Sequence, residues 1–196
     1  MVTGQTDEEL MLRYRDGDAA AFETLYQRFE RPLFDFIYRM APNAADSESL
    51  FQDTFFRLVR AKGRYRASAQ FRTWLFQIAA NLCRDRARRM KHRAHLSLND
   101  PVFAGHDGCG DAQGLVPDPS APVGASVEAG ELEAAVKGAV RALPEDERAV
   151  VVLKEYQELT YPEIAEILGR PVGTLKSVHH RACEKLRGVL APYLGE

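Results

Sequence analysis

The 196 residues contain three cysteines, Cys83, Cys109 and Cys183, a single tryptophan, and no apolar run approaching the ~20 residues of a membrane span. Three scattered thiols cannot build a disulfide framework, and they point to a reducing compartment. No charged segment followed by an apolar stretch stands at the N-terminus, so a soluble, cytoplasmic chain is expected. The N-terminal half also lacks the alternating apolar pattern of strands, which argues against an α/β receiver domain there. The net charge is only −2, so its distribution says more than its sum. Residues 64–93 carry nine Arg or Lys against one acid, Asp85, whereas residues 97–127 carry four Asp and no Arg or Lys. Positive potential is thus concentrated in one stretch, where a nucleic acid could use it.

What the chain has in abundance is helical periodicity, and the expected fold is all-α. Residues 7–14 open with acids and an apolar pair, and Asp18 reads as the N-cap of a helix over 19–40. In that helix Phe22, Leu25, Tyr26, Phe29, Leu33, Phe36 and Ile37 recur at core spacing, with Pro32 producing at most a kink. After Pro42-Asn43, residues 46–60 form an amphipathic helix with Leu50, Phe51, Thr54, Phe55, Leu58 and Val59 inward. Glu48, Gln52, Asp53 and Arg57 face outward, and periodicity alone is equally consistent with a merely solvated face. Residues 62–70 read as a loop, and a long helix runs from Phe71 to about Lys91 with Trp74, Leu75, Ile78, Ala79 and Leu82 in the core. Tyr65, Phe71 and Trp74 are interleaved with Arg64, Arg66 and Arg72. That mixture suits a surface that stacks unpaired bases while neutralising a backbone, although aromatic core plus solvated arginines would read the same way.

Periodicity then stops. Residues 97–127 hold five Gly and four Pro, the composition of a flexible linker. His92 and His95, with His106 and Cys109, make HxxH and HxxC pairs of the kind that take a tetrahedral metal. The second pair lies in a Gly-rich tract with nothing to pre-organise it, so neither metal nor any other cofactor is expected. Helices resume over 128–143 and 145–155, and the stretch 161–187, YPEIAEILGRPVGTLKSVHHRACEKLR, reads as a helix-turn-helix. Ile164, Ala165, Ile167 and Leu168 give its first helix an apolar face, and Gly169 with Pro171 makes the turn. On the second helix Leu175, Ala182 and Leu186 point inward, flanked by Val178, His179 and Val189. The opposite side carries Lys176, Ser177, His180 and Glu184, with Thr174 and Arg181 at its edge, donors suited to base edges and phosphates.

Three motifs in order resemble the extracytoplasmic-function group of sigma factors, in the sigma-70 family, over nearly everything but the linker. DSESLFQDTFFRLVR resembles the core-polymerase-binding helix, FRTWLFQIAANLCRDRARR the helix that meets the minus-ten element, and LPEDERAVVVLKEYQELTYPEIAEILGRPVGTLKSVHHRACEKLR the minus-thirty-five reader. The resemblance implies a region 2 domain over 1–95, a linker over 96–127 and a region 4 domain over 128–196. It implies that Glu48, Gln52, Asp53 and Arg57, with Leu50 and Phe51 at the rim, meet the clamp helices of RNA polymerase. It assigns the minus-ten strand to Arg64, Tyr65, Arg66, Phe71, Arg72, Trp74, Asn81, Arg84 and Arg88, with the loop at 62–70 holding a flipped base. The minus-thirty-five contacts would be Thr174, Lys176, Ser177, His180 and Arg181. It further implies an anti-sigma partner, a chain that is monomeric when free, and no catalysis of its own. One departure stands out: where the family commonly has Arg-Leu after the Lys-Ser of the recognition helix, this chain has Val178-His179.

Two other classes fit parts of the chain. LTYPEIAEILGRPVGTLK also resembles LuxR-type regulators, but these usually carry a receiver or ligand-binding domain. A metal-dependent hydrolase built on the His and Cys pairs would need rigid ligand supports and a neighbouring base, and the sequence offers neither.

Overall fold

Side-chain oxygens set where the first three helices start. Thr6 caps α1 (Asp7–Arg15) in a reciprocal box with Glu9, Asp18 caps α2 (Ala19–Met40), and Asn43 caps α3 (Ala44–Ala61). A 3-10 turn at Lys62–Arg64 leads towards α4 (Phe71–Leu98). The second half comprises α5 (Val127–Ala142), α6 (Glu145–Val151), which runs into a π turn at Val152–Tyr156, α7 (Tyr161–Leu168) and α8 (Val172–Leu194). The computed structural model describes residues 4–67, 70–98 and 127–194; among them there is no strand, and no helix is long and apolar enough to cross a membrane. The all-α expectation holds, and α2 continues through Pro32 to Met40.

In the first bundle α2 lies at the centre, burying Leu25, Phe29, Leu33, Phe36 and Ile37, while Leu10 and Met11 of α1 close one end. Full burial of one such side chain contributes about 1.5–3 kcal/mol. α4 supplies Phe71, Leu75, Phe76, Ala79 and Cys83 to the same core. Asp46, almost wholly buried at the start of α3, pairs with Arg86 of α4 and fixes how these two helices cross. Losing one partner of such a pair costs more than its net gain, so it specifies geometry more than stability.

The second bundle is organised by the π turn. Gln157 N–H donates to the Val152 carbonyl at 3.1 Å and Leu159 N–H to that of Leu153 at 3.1 Å, which lets the chain turn into α7 without orphaning its backbone. Thr160 and Glu163 cap α7 reciprocally, and Gly169, at φ +66°, closes it in a left-handed conformation that suits glycine. Leu175, Val178 and Ala182 then bury the inner side of α8.

The two bundles pack on each other. Phe76, Ala79, Ala80 and Cys83 of α4 belong to one buried cluster with Ile164, Ile167 and Leu168 of α7. Arg72 Nη2 donates to the Gln157 carbonyl at 2.5 Å, and Gln77 Nε2 to that of Glu166 at 3.2 Å. Asp35 holds Arg39 through two contacts of 3.1 and 3.0 Å, and the Arg39 guanidinium lies 3.7 Å from the centroid of Tyr156. The buried Gln157 amide Nε2 lies 3.4 Å from Asp35 Oδ2. The sequence suggests two small domains on a flexible tether; the described residues of both halves contribute to one buried cluster, and residues 99–126 lie outside the described residues.

Candidate nucleic-acid interface

A concave surface lies between α3 and α4. It is an open cleft of about 630 Å³ lined by Asp53, Phe56, Arg57, Arg60, Arg64, Trp74 and Asn81, with Ala61 and Ile78 at its floor. Three guanidiniums beside two aromatic rings and an amide can neutralise phosphates, stack a base and hydrogen-bond its edge within one site. Phe56 is 59% exposed, far more than a core ring. Periodicity leaves it unassigned, since it sits one residue beyond the buried Phe55, and its signal is the Phe-Phe pair, which cannot turn both rings inward on one helix.

A second groove, about 440 Å³, runs between α2 and α3 and is lined by Glu30, Arg31, Phe34, Glu48, Phe51 and Gln52. Phe34 is partly exposed and meets Phe51 edge-on at 5.6 Å. Glu48, Gln52, Asp53 and Arg57 are all exposed along α3, but on two sides of it: Glu48 and Gln52 line this groove, whereas Asp53 and Arg57 line the α3–α4 cleft. Leu50 is corrected: it is buried and faces the bundle rather than a rim, whereas Phe51 is half-buried among Tyr26, Phe34 and Phe55. Val59 is likewise corrected, being exposed rather than inward.

Two expected base-stacking rings belong to the core instead. Tyr65 is 2% exposed and Phe71 is fully buried; Phe71 meets Tyr65, Trp74 and Phe29 edge-on, and Tyr65 lies tilted against Trp74. Burial, with the Glu8 and Asp7 carboxylates, pushes the Tyr65 hydroxyl up to about 12. Their role is to hold up the loop and Trp74, which is half-exposed at the cleft. Arg64, Arg66 and Arg88 are exposed, and Asn81 accepts from Arg84 at 3.0 Å on the same face of α4. Arg72 is committed to the Gln157 carbonyl. Of the four residues weighed as metal ligands, His92 is exposed, the His95 side chain and all of His106 and Cys109 lie outside the described residues, and no cluster of metal-ligating side chains occurs among those described.

On α8 the outer side is as expected, with Thr174, Lys176, Ser177, His180 and Arg181 exposed in a row. His180 lies 3.4 Å from Glu184 one turn on. Val189, expected at the packing flank, is exposed because α8 outruns α7 at that point.

Residues 25–93 match the Sigma-70 region 2 family and residues 133–186 match Sigma-70, region 4. The chain is 30% identical to the RNA polymerase sigma-H factor of Pseudomonas aeruginosa, covering 100% of both chains. It is 34% identical to the ECF RNA polymerase sigma factor SigW of Bacillus subtilis, over 91% of this chain and 96% of that one. Among solved structures it resembles CnrH in complex with the cytosolic domain of CnrY, with a TM-score of 0.67 and 25% identity over 96% of this chain and 99% of that one. It shares the fold of the sigma factor RpoE of Bartonella quintana, solved with the anti-sigma factor NepR, with a TM-score of 0.65 and 22% identity over 87% of this chain and 96% of that one. Two matched regions in the order found here, and a relative aligned along the whole chain, place this protein in the sigma-70 family, as an RNA polymerase sigma factor of the extracytoplasmic-function group.

Proposed function

We propose a division of labour among three surfaces. The exposed face of α3, from Glu48 to Arg57, together with the adjoining Phe34–Phe51 groove, docks on the clamp helices of RNA polymerase. The α3–α4 cleft takes the melted minus-ten strand, with Trp74 and Phe56 stacking, Asn81 reading an edge, and Arg60, Arg64, Arg84 and Arg88 along the backbone. The outer row of α8, Thr174, Lys176, Ser177, His180 and Arg181, reads the minus-thirty-five element in the major groove. The chain performs no bond chemistry; the polymerase does that, and this subunit supplies recognition and strand separation. The observation that carries the reading is the cleft itself, where exposed aromatic rings and guanidiniums converge on one surface.

Two elements about 25 base pairs apart span roughly 85 Å of duplex at 3.4 Å per pair. α4 and α7, however, touch through Gln77 and Glu166. Reading both elements therefore requires the two bundles to part, and the 28 residues from 99 to 126 can reach at most about 95 Å when fully extended. An anti-sigma partner fits the same scheme, holding the bundles together or covering the α3 face. The test is run-off transcription with purified core polymerase and a promoter library. Transcripts from a defined promoter class with this chain as sole specificity factor support the reading. No transcript from any promoter in the library would overturn this division of labour.

A further inference from the structure

The departure at Val178-His179 acquires a structural meaning at the α7–α8 crossing. Leu175, Val178 and Ala182 form an apolar seam, and such contacts are non-directional, so they tolerate small rotations of one helix on another. His179 interrupts that seam with directional bonds. It is 15% exposed, and both ring nitrogens have partners on other elements. Nδ1 lies 3.0 Å from the Tyr161 hydroxyl, at the first residue of α7, and Nε2 lies 3.1 Å from Glu155 Oε1 in the π turn. Cys183, one turn along α8, brings its Sγ to 3.5 Å from Nε2. A neutral imidazole protonated on Nε2 satisfies both main contacts at once, accepting from the Tyr161 hydroxyl and donating to the Glu155 carboxylate. Burial holds the Tyr161 hydroxyl above its usual range, with Cys183 and Glu155 adding to this, so it stays protonated.

We propose that the Glu155–His179–Tyr161 relay is a positioning device that fixes the rotation of the recognition helix and thereby sets which upstream bases this sigma factor accepts. The inference rests on the assignment of the α8 outer row to the minus-thirty-five element. Three elements meet at one imidazole, so α8 is triangulated rather than merely packed. A rotation of about 20° moves a side chain roughly 6 Å from the helix axis by about 2 Å, enough to break a bidentate base contact. Tyr161 extends the relay to a reader directly: the Lys176 ammonium lies 5.8 Å from its ring centroid, and Lys154 lies 5.4 Å from the same ring. A leucine at this position would fill the seam and leave rotation to packing alone. His179 and Tyr161 are thus positioning residues acting through Lys176 and its neighbours.

The experiment uses holoenzyme reconstituted with the full chain, transcribing a promoter library randomised only in the minus-thirty-five element and read by sequencing. Tyr161→Phe keeps the ring and removes the hydroxyl, His179→Leu removes both bonds, and His179→Gln restores a group that both donates and accepts. Tyr161→Phe and His179→Leu are each expected to change discrimination about fivefold at the positions Lys176 reads, the scale of one net hydrogen bond. The double variant should fall short of the product of the singles, because the relay acts as one unit. His179→Gln should recover most of the wild-type profile. If every promoter falls together with an unchanged profile, in step with a lowered urea midpoint, the role is structural and the proposal is overturned. Tyr161→Phe decides the matter even where His179→Leu disturbs packing. A flat wild-type profile would remove the reading of α8 as promoter reader, and the relay's role with it; a structured wild-type profile that both variants preserve would remove the relay alone.

Discussion

At the scale of single residues the structure separates side chains that hold the fold from those free to act. Phe56 is the clearest case, because a ring 59% exposed contributes little to the core. Phe56→Ser should leave the unfolding free energy, measured by urea titration, within about 0.5 kcal/mol of wild type. Stacking of one base on an aromatic ring contributes about 1–3 kcal/mol, so binding of holoenzyme to a pre-melted fork template should weaken at least fivefold. Fluorescence anisotropy on fork and duplex templates checks this, and equal loss on both would remove Phe56 from the single-strand site. Cys83 is the converse. Burial pushes its thiol up to about 12, and the Glu145 carboxylate adds to the effect. Buried and held protonated at pH 8, Cys83 should resist iodoacetamide in the native protein and react only in concentrated urea. Peptide mapping by mass spectrometry reads the result, and rapid native alkylation of Cys83 would mean that α4 is not packed as described.

At the scale of elements, α7 is the most exposed to perturbation because it is only eight residues long and relies on both its ends. Thr160→Ala removes the hydroxyl of the capping box and should cost about 1 kcal/mol. Gly169→Ala forces a Cβ into a left-handed conformation and should cost a similar amount, about 1 kcal/mol. For a chain of this size either change should lower the melting midpoint by about 2–4 °C, measured by circular dichroism. These signals were legible in advance: Asp18, Pro42-Asn43, Pro144 and Gly169 mark helix ends through local chemistry that needs no tertiary knowledge. The polar rows of α3 and α8 were legible for the same reason, as strips at helical spacing. Tyr65 and Phe71 were not, since an aromatic among arginines reads alike whether it faces base or core, and only the packing of Phe29 and Trp74 around them decides. Phe56 went unnoticed because the inward arc of α3 is narrower than its run of apolar residues.

At the scale of the whole molecule, the contact between the two bundles was the feature least visible in the sequence, and its chemistry explains why. Arg72 and Gln77 of the first bundle donate to backbone carbonyls of Gln157 and Glu166, acceptors that every residue possesses and no side-chain pattern announces. The side-chain share of the latch joins the buried apolar contact of α4 on α7 to polar ones: Gln157 against Asp35, and Arg39 held by Asp35 over Tyr156. The polar contacts, each contributing about 1 kcal/mol, add to that apolar contact and are the part that a substitution can reverse without emptying the core. A closed chain of this length should have a radius of gyration of about 16 Å in solution. The double variant Arg39→Gln/Gln157→Glu removes the guanidinium and sets a carboxylate against Asp35, which should drive the bundles apart and raise the radius above about 20 Å in small-angle scattering. Adding Asp35→Asn gives the new carboxylate a donor and should return the value towards wild type. Because Arg72 is released on opening, the double variant should also bind fork template better than wild type in the absence of polymerase. An already expanded wild type, or a double variant as compact as wild type, would show that these contacts do not hold the closed state.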